Sequence, residues 1–172
     1  MRPLVLHHFS EDPAIGRFVP HVPRTNPSHP PAVWAIDAAH APLYWFPRDC
    51  PRVTVWAETD GELAAFQSCF RTTASRLHAI EDAWLASMQR VELYRYDLPA
   101  DSFARWSDAG GQWISTEAVV PLGVAAVGNV IELHARASIE LRIVPSLWPL
   151  RDVVVAGPWP FSIVRMLNAQ AR

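Results

Sequence analysis

The sequence predicts an α+β protein with a mixed or mainly antiparallel sheet of about six to eight short strands and a few helices. The chain has 172 residues, the length of one ordinary domain, and half of them are apolar. Predicted strands and helices follow one another irregularly, without the strict alternation that produces a doubly wound parallel sheet. Since no break in composition divides the chain, we expect one globular domain over residues 1–172.

Short segments rich in β-branched and aromatic residues predict the strands. In chain order they are residues 4–9, 32–36, 53–57, 91–96, 112–115, 119–124, 139–144 and 161–167, with 152–156 as a further candidate. Residues 10–31 contain six prolines and predict a long irregular loop. Such a loop is consistent with either a lid or a plain surface segment.

Helical spacing and capping residues predict the helices. The clearest is 74–90, where Leu77, Ile80, Trp84 and Met88 are three, four and four residues apart. Thr59 and Glu62 have the spacing of a capping box, and Asn129 is placed to cap a short helix that ends near residue 137. Residues 103–106 predict a single helical turn, and a short helix is expected after Asp37.

Composition excludes several chemistries. All fifteen basic residues are arginine, so Schiff-base catalysis and a P-loop lysine are ruled out. Two cysteines, Cys50 and Cys69, cannot form a four-thiolate zinc site, and we expect no metal. The net charge of −2, without a basic run, argues against nucleic-acid binding. No apolar run approaches the roughly 20 residues that span a bilayer, and we expect a cytoplasmic protein.

Several polar residues are candidates for a functional site. His8 lies beside His7 on a predicted strand, so the two rings should point to opposite faces. Ser10 begins a segment that is also suited to cap a turn, and Glu117 is placed either in a site or on a solvated turn. Arg48 has the guanidinium fork that suits phosphate, although pairing with Asp49 is the alternative.

A second candidate pair lies within the predicted helix 74–90. His78 and Glu81 are three residues apart, a spacing that puts two side chains on the same helix face. A histidine and a carboxylate in this arrangement can act as an acid–base pair, or they can lie on a solvated surface. This pair is the basis of a hydrolase hypothesis.

Motifs along nearly the whole chain resemble a family of bacterial proteins with no assigned function. They are LHHFSEDP at 6–13, VWAID at 33–37, PRDCPRV at 47–53, HAIE at 78–81, WL at 84–85, ELRI at 140–143, PSLWPL at 145–150 and FSIVR at 161–165. This resemblance brings no activity with it.

The order of elements also resembles an ADP-ribosyltransferase-like fold, which implies NAD as a substrate. In that superfamily a first strand carries a histidine, a helix after the second strand carries an aromatic residue, and a late strand carries an acidic residue. The matching positions are His8 with Ser10, then Tyr44 behind the strand that contains Trp34, and then Glu117. Glu117 would stabilise positive charge on the ribose as the bond to nicotinamide breaks.

Two functions are therefore expected from different classes. The first is an NAD-using ADP-ribosyltransferase or NAD hydrolase, with Arg48 on the phosphates. The second is a non-catalytic module that binds a small ligand or a protein through aromatic and arginine side chains. The sequence does not define an oligomeric state.

Overall fold

The computed structural model describes residues 3–23, 27–106 and 110–172. These residues form ten β-strands in two sheets and four α-helices, and all but one of the strand pairings are antiparallel. The α+β class with mainly antiparallel strands is thus confirmed. The described residues hold more strands than the six to eight expected, because residues 76–81 were predicted as helix and the two-residue edge strand at 104–105 carries little sequence signal.

The elements follow in chain order. The strands are β1 (Val5–Ser10), β2 (Val33–Ile36), β3 (Arg52–Trp56), β4 (Arg76–Glu81), β5 (Tyr94–Pro99), β6 (Ala104–Arg105), β7 (Gln112–Ser115), β8 (Gly123–Ala126), β9 (Glu140–Val144) and β10 (Phe161–Val164). The α-helices are α1 (Asp60–Phe70), α2 (Leu85–Arg90), α3 (Val130–Arg136) and α4 (Trp148–Ala156). Short 3-10 helices cover Ala41–Tyr44, Asp82–Trp84 and Met166–Asn168.

The chain divides into two compact units, each built from two separate stretches. The first unit comprises Met1–Trp45 and Glu92–Val127, and the second comprises Phe46–Val91 and Gly128–Arg172. Because each unit combines an earlier with a later stretch, no single point along the sequence shows a boundary. The expectation of a single domain over residues 1–172 stays a prediction.

The first unit is organised around a six-stranded antiparallel sheet in the order β6-β7-β2-β1-β5-β8. β1 is central and pairs along its whole length with β5, from Val5 opposite Pro99 to Ser10 opposite Tyr94. Its other neighbour is β2, where His7 lies opposite Ile36. A buried core covers one face of this sheet, and its members are Leu6, Phe18, Val33, Ala35, Tyr96, Leu98, Ala100, Phe103 and Val119.

After Ser10, which ends β1, residues 11–23 and 27–31 form no helix or strand, as the prolines predict. Residues 24–26 lie outside the described residues. Single β-bridges join Phe18 to Val119 and His21 to Ala32. The buried hydroxyl of Tyr96 accepts a hydrogen bond from the Ile15 amide at 3.0 Å and donates one to the Asp12 carbonyl at 2.6 Å. These contacts attach the first half of the loop to the core of the first unit.

The second unit contains a four-stranded sheet in the order β10-β3-β4-β9. β4 pairs antiparallel with β3 and parallel with β9. Helices α1 and α4 contribute to the core on one face, and the core residues are Val53, Val55, Phe66, Phe70, Leu77, Ala79, Leu147, Val154 and Trp159. The rings of Phe66, Phe70 and Trp159 contact one another with centroid distances of 4.8 to 5.8 Å.

The predicted helix over 74–90 is wrong. Residues 76–81 form strand β4, and helix follows only from Asp82 through α2. Leu77 to Glu81 are all buried, so this strand is covered on both faces and lacks the alternation of polar and apolar residues that marks a half-exposed strand. Without that alternation, the spacing of Leu77, Ile80 and Trp84 by three and four residues matched the pattern of an amphipathic helix.

Two other local predictions are also wrong. Residues 152–156 belong to helix α4, where Val154 is buried while Val153 and Val155 are exposed, and Pro149 occupies the first turn. Packing of Val154 outweighs the β propensity of the valine run. Residues 104–105 form edge strand β6 rather than a helical turn, because they pair with β7.

Capping was predicted more accurately. The Asn129 side chain accepts hydrogen bonds from the amides of Ile131 and Glu132 at the start of α3, which confirms the expected cap. Helix α1 starts after Thr59, but the Thr59 side chain makes no capping bond, and Glu62 bonds instead to the amide of Glu58. Helix α1 therefore starts where the capping box predicts it, but the Thr59 hydroxyl does not cap it, and the Glu62 carboxylate bonds to the amide of Glu58 instead of that of Thr59.

We expect Tyr96→Phe to lower the free energy of unfolding by about 1–2 kcal/mol, because it removes a buried hydroxyl that makes two hydrogen bonds. Faster hydrogen exchange at the Ile15 amide should accompany the loss. Tyr94→Phe is the matched control on the same strand, since its hydroxyl bonds only at 3.4 Å to an exposed Glu92. Equal stability of the two variants would contradict the role of Tyr96.

Candidate functional site

A cavity of about 80 Å³ lies in the first unit where strands β1 and β2 run side by side. Its lining residues are His7, His8, Phe9, Trp34, Ala35, Ile36 and Tyr44. Side chains two apart on a strand share a face, so His7 and Phe9 lie on the same side of the sheet as their cross-strand neighbours Ile36 and Trp34. The first 3-10 helix ends at Tyr44 and brings that ring to the cavity.

Phe9 and Tyr44 form an aromatic wall. Their ring planes are within 6° of parallel, and the ring centroids are 6.5 Å apart. The Gln112 side-chain amide donates a 2.7 Å hydrogen bond to the Tyr44 hydroxyl oxygen, which fixes the outer end of that ring. Both rings are half-buried.

Trp34 forms a second wall of the cavity, and the rings of His29 and Trp106 pack against it. The buried imidazole of His29 has its centroid 4.9 Å from Trp34 and 4.7 Å from Trp106. The two tryptophans meet edge to face at 5.6 Å. The wall is therefore packed in place before any ligand binds.

His7 is the polar group of the cavity with a defined carboxylate partner. Its Nδ1 lies 2.8 Å from Oδ1 of Asp97, the residue directly opposite on β5. Arg95 donates to the same carboxylate through Nε at 2.9 Å and Nη2 at 3.2 Å. Because Nδ1 is engaged by Asp97, Nε2 is the ring nitrogen left for a ligand.

His7 and His8 point to opposite faces, as alternation along a strand predicts. The His8 ring packs against Phe18 in the core with a centroid distance of 4.7 Å, and its Nδ1 lies 2.9 Å from the Trp34 carbonyl oxygen. A carbonyl oxygen only accepts, so this nitrogen donates. His8 thus lies at the cavity, but its ring is directed towards the core.

Ser10 and Glu117 both take part in turns. The Ser10 hydroxyl oxygen accepts a hydrogen bond from the Asp12 amide at 3.1 Å, and Asp12 in turn accepts from the Ala14 amide. The capping alternative for this segment is confirmed. Glu117 follows β7 with its side chain exposed, and its amide donates to the Ser115 hydroxyl at 3.1 Å. Neither residue lines the cavity.

Arg48 belongs to the second unit and is exposed. Its carbonyl accepts a hydrogen bond from Nε of Arg165 at 3.4 Å, and the neighbouring Asp49 carboxylate lies 3.8 Å from the same nitrogen. Asn168 donates to the Asp49 carbonyl at 2.8 Å. Asp49 is thus part of a brace to the C-terminal segment.

Of the residues predicted to form one site, the cavity brings together His8, Trp34 and Tyr44. It adds His7 and Phe9, which sequence reasoning did not select. Alternation along β1 predicts that the His7 and His8 side chains point to opposite faces of the sheet, but it does not predict which face packs against the core. Asp97 was missed because its only signal is a pairing between strands that lie 90 residues apart.

His78 and Glu81 do not share a helix face. They lie on strand β4, where residues three apart point to opposite sides, and both are fully buried. The predicted acid–base pair is therefore wrong in its geometry. Its two members instead make separate buried hydrogen-bond networks.

The His78 network is a pair of imidazoles. His134 donates from Nδ1 to the Val130 carbonyl at 2.7 Å, so its Nε2 is the acceptor when the ring is neutral. His78 then donates from Nδ1 to that nitrogen at 3.0 Å. Nε2 of His78 is buried and has no hydrogen-bond partner among the described residues.

Burial holds the pKa of His78 well below its usual value, and the neighbouring His134 and the positive charges of Arg76 and Arg52 lower it further. Burial also lowers the pKa of His134, against a weaker opposing effect of the Val130 hydrogen bond. Both rings are therefore neutral near pH 7. A neutral pair packed beside Phe46 has a structural rather than a proton-transfer geometry.

Glu81 anchors two backbone segments of the second unit. Its Oε1 accepts from the Leu147 amide at 3.1 Å, just before helix α4, and its Oε2 accepts from the Gln170 amide at 2.9 Å. A carboxylate at a helix N-terminus is favoured by the helix dipole. Glu81 thus fixes the start of α4 and the C-terminal segment.

The described part of the chain contains two free thiols and no cluster of metal-binding side chains. Cys50 and Cys69 are both free thiols, and burial raises the pKa of Cys50 to about 12, so it is not a thiolate. Across residues 3–23, 27–106 and 110–172, no three or more His, Cys, Asp or Glu side chains gather closely enough to hold a metal ion. None of the helices formed by the described residues has the length and apolar character needed to span a bilayer.

We expect the protein to lose stability as the pH falls below about 6.5, the usual pKa of histidine. Below that pH, unfolded His78 and His134 take up protons that the folded chain resists, so the unfolded state gains up to about 1.4 kcal/mol per pH unit for each ring. His78→Gln should reduce this slope in denaturant titrations between about pH 5 and 7. His21→Gln, at an exposed position, should leave it unchanged. An unaltered slope in His78→Gln would disprove the assignment.

Comparison with known proteins identifies a family without a function. Residues 7–169 match the model described as "Family of unknown function (DUF6886)". No curated protein and no solved structure matches the chain. The resemblance to an uncharacterised family is confirmed, whereas the ADP-ribosyltransferase-like fold gains no support from these comparisons. Since the match covers nearly the whole chain, the protein belongs to the family of unknown function DUF6886.

Proposed function

We propose that the first unit is a small-molecule binding module whose cavity takes an apolar or aromatic group. The observation that carries this proposal is the cavity itself, with Phe9, Trp34 and Tyr44 around it as half-buried rings. Concave sites lined by aromatic side chains with a few polar groups are typical of ligand binding. Covering apolar ring surface contributes roughly 25 cal/mol for each Å² removed from water.

Preorganisation supports the same function. Gln112 holds Tyr44, and His29 and Trp106 pack against Trp34, so the walls need little ordering when a ligand binds. Binding sites that are already ordered lose less free energy to immobilisation of side chains. The aromatic rings therefore contribute more of their contact energy to affinity.

The size of the cavity limits what enters it. A volume of about 80 Å³ is well below the roughly 300–1,000 Å³ of pockets that enclose a whole drug-sized ligand. One ring or a group of similar size fits, and the rest of a larger ligand extends into solvent. The lining residues include no Ser, Thr, Cys or carboxylate, which favours binding over covalent catalysis.

A library of small aromatic and aliphatic compounds tests this function. Binding should shift the backbone amide signals of residues 7–9 and 34–36, and Phe9→Ala and Tyr44→Ala should each weaken it about tenfold or more, the effect of losing ~1.4 kcal/mol of contact. Phe9→Leu serves if Phe9→Ala unfolds the unit. Phe161→Ala, an exposed phenylalanine of the second unit, is the matched control. The proposal is rejected if no compound binds or if both cavity variants bind as the wild type does.

An NAD-using transferase or hydrolase is the second candidate, because Trp34 and Tyr44, two of the residues expected to hold the dinucleotide, line the cavity. This candidate requires Glu117 to act on NAD, although its side chain lies on an exposed turn. The protein should then release nicotinamide from NAD, and Glu117→Ala should lower the rate by a factor of about 100 or more. Glu132→Ala, another exposed carboxylate, is the control. Absence of nicotinamide release, or full activity of Glu117→Ala, would exclude it.

A further inference from the structure

The ring pair in the cavity favours a flat partner. Phe9 and Tyr44 have nearly parallel planes, 6° apart, with centroids 6.5 Å from each other. A planar ring that stacks parallel to these rings contacts an aromatic face with its own whole face, whereas a puckered or branched group contacts it only at a few atoms. Ile36, which is almost fully buried, closes the cavity with an apolar surface.

The polar group of the cavity has a defined hydrogen-bonding character. The Asp97 carboxylate already accepts from the guanidinium of Arg95 and can only accept from His7. The proton of neutral His7 is therefore on Nδ1. Nε2 consequently carries the lone pair of this cavity-lining ring, and it is suited to a ligand that donates a hydrogen bond.

We propose that the cavity binds a planar heterocycle that stacks on Phe9 and Tyr44 and donates an N–H to Nε2 of His7. This inference rests on the proposed binding function and names the class of ligand. A ligand whose nitrogen is methylated cannot donate, and it covers the Nε2 acceptor without satisfying it. Loss of a hydrogen bond to a buried acceptor in this way should weaken binding about tenfold or more.

Asp97 acts here as a positioning residue, since it sets which nitrogen of His7 carries the proton. In Asp97→Asn, the side-chain amide can donate to Nδ1 and so favours the tautomer with the proton on Nε2. His7 would then present a donor to the cavity in place of an acceptor. A purely structural role for Asp97 would lower affinity for all ligands alike, whereas a tautomer change alters the preference between donor and methylated ligands.

Matched ligands test the class directly. Uracil, indole and benzimidazole carry ring N–H groups, and 1,3-dimethyluracil, 1-methylindole and 1-methylbenzimidazole do not. 5,6-Dihydrouracil keeps the N–H groups of uracil but loses the flat ring, and cyclohexanol is an apolar probe without a flat ring. Dissociation constants are measured for each by amide chemical shifts of the full chain at about pH 8, where free imidazole is neutral.

The expected result is binding of at least one N–H heterocycle, with its methylated form bound about tenfold or more weakly. This preference should vanish in His7→Leu and in Asp97→Asn and persist in His21→Gln, an exposed histidine of the same unit. Equal binding of methylated and unmethylated rings, or of dihydrouracil and uracil, overturns the ligand class. Binding of cyclohexanol alone overturns the ligand class and leaves the proposed function standing, whereas binding of no probe overturns both.

Discussion

The register between strands β1 and β5 is the constraint on which the first unit depends. It places His7 opposite Asp97 and His8 opposite Tyr96. One face of the pair therefore carries the imidazole–carboxylate contact of the cavity, and the other carries the ring packing of the core. A slip of one residue would exchange the two faces, so the buried Tyr96 would lose the loop that its hydroxyl holds. The cavity and the core are thus two results of the same pairing.

A residue of the site can be predicted when the pattern that marks it is visible in the sequence, and it is missed when it acts only through a contact with a residue far along the chain. Trp34 and Tyr44 were selected because they match the second strand and the aromatic position behind it in the resemblance to an ADP-ribosyltransferase-like fold, and both line the cavity. The orientation of His7 and His8 depends on Phe18, which comes from an irregular loop and covers one face of β1. Asp97 and Gln112 act through pairings and contacts that no local pattern encodes.

The same distinction explains the fold. The Asn129 cap was predictable because the side chain bonds to amides only two and three residues away. Strand β4 was not, because its pairing with β3 and β9 buries both of its faces and removes the alternating pattern. The polar residues of that strand form hydrogen bonds in the interior. His78 bonds to His134, and Glu81 bonds to two backbone amides. Residues that resemble a catalytic pair in sequence thus support the second unit.

The division of the first unit into two stretches has a kinetic consequence. All the residues that line the cavity belong to the first 45 residues, whereas their supports Asp97 and Gln112 come from the stretch after residue 91. A chain made from the N-terminus therefore exposes its aromatic cavity residues before β5 and β7 exist to pair with β1 and β2. Closing the sheet requires contacts between residues up to about 90 positions apart, which slows folding relative to local pairing. During synthesis, the apolar surface of residues 5–45 stays open to chaperones or to aggregation until the second stretch emerges.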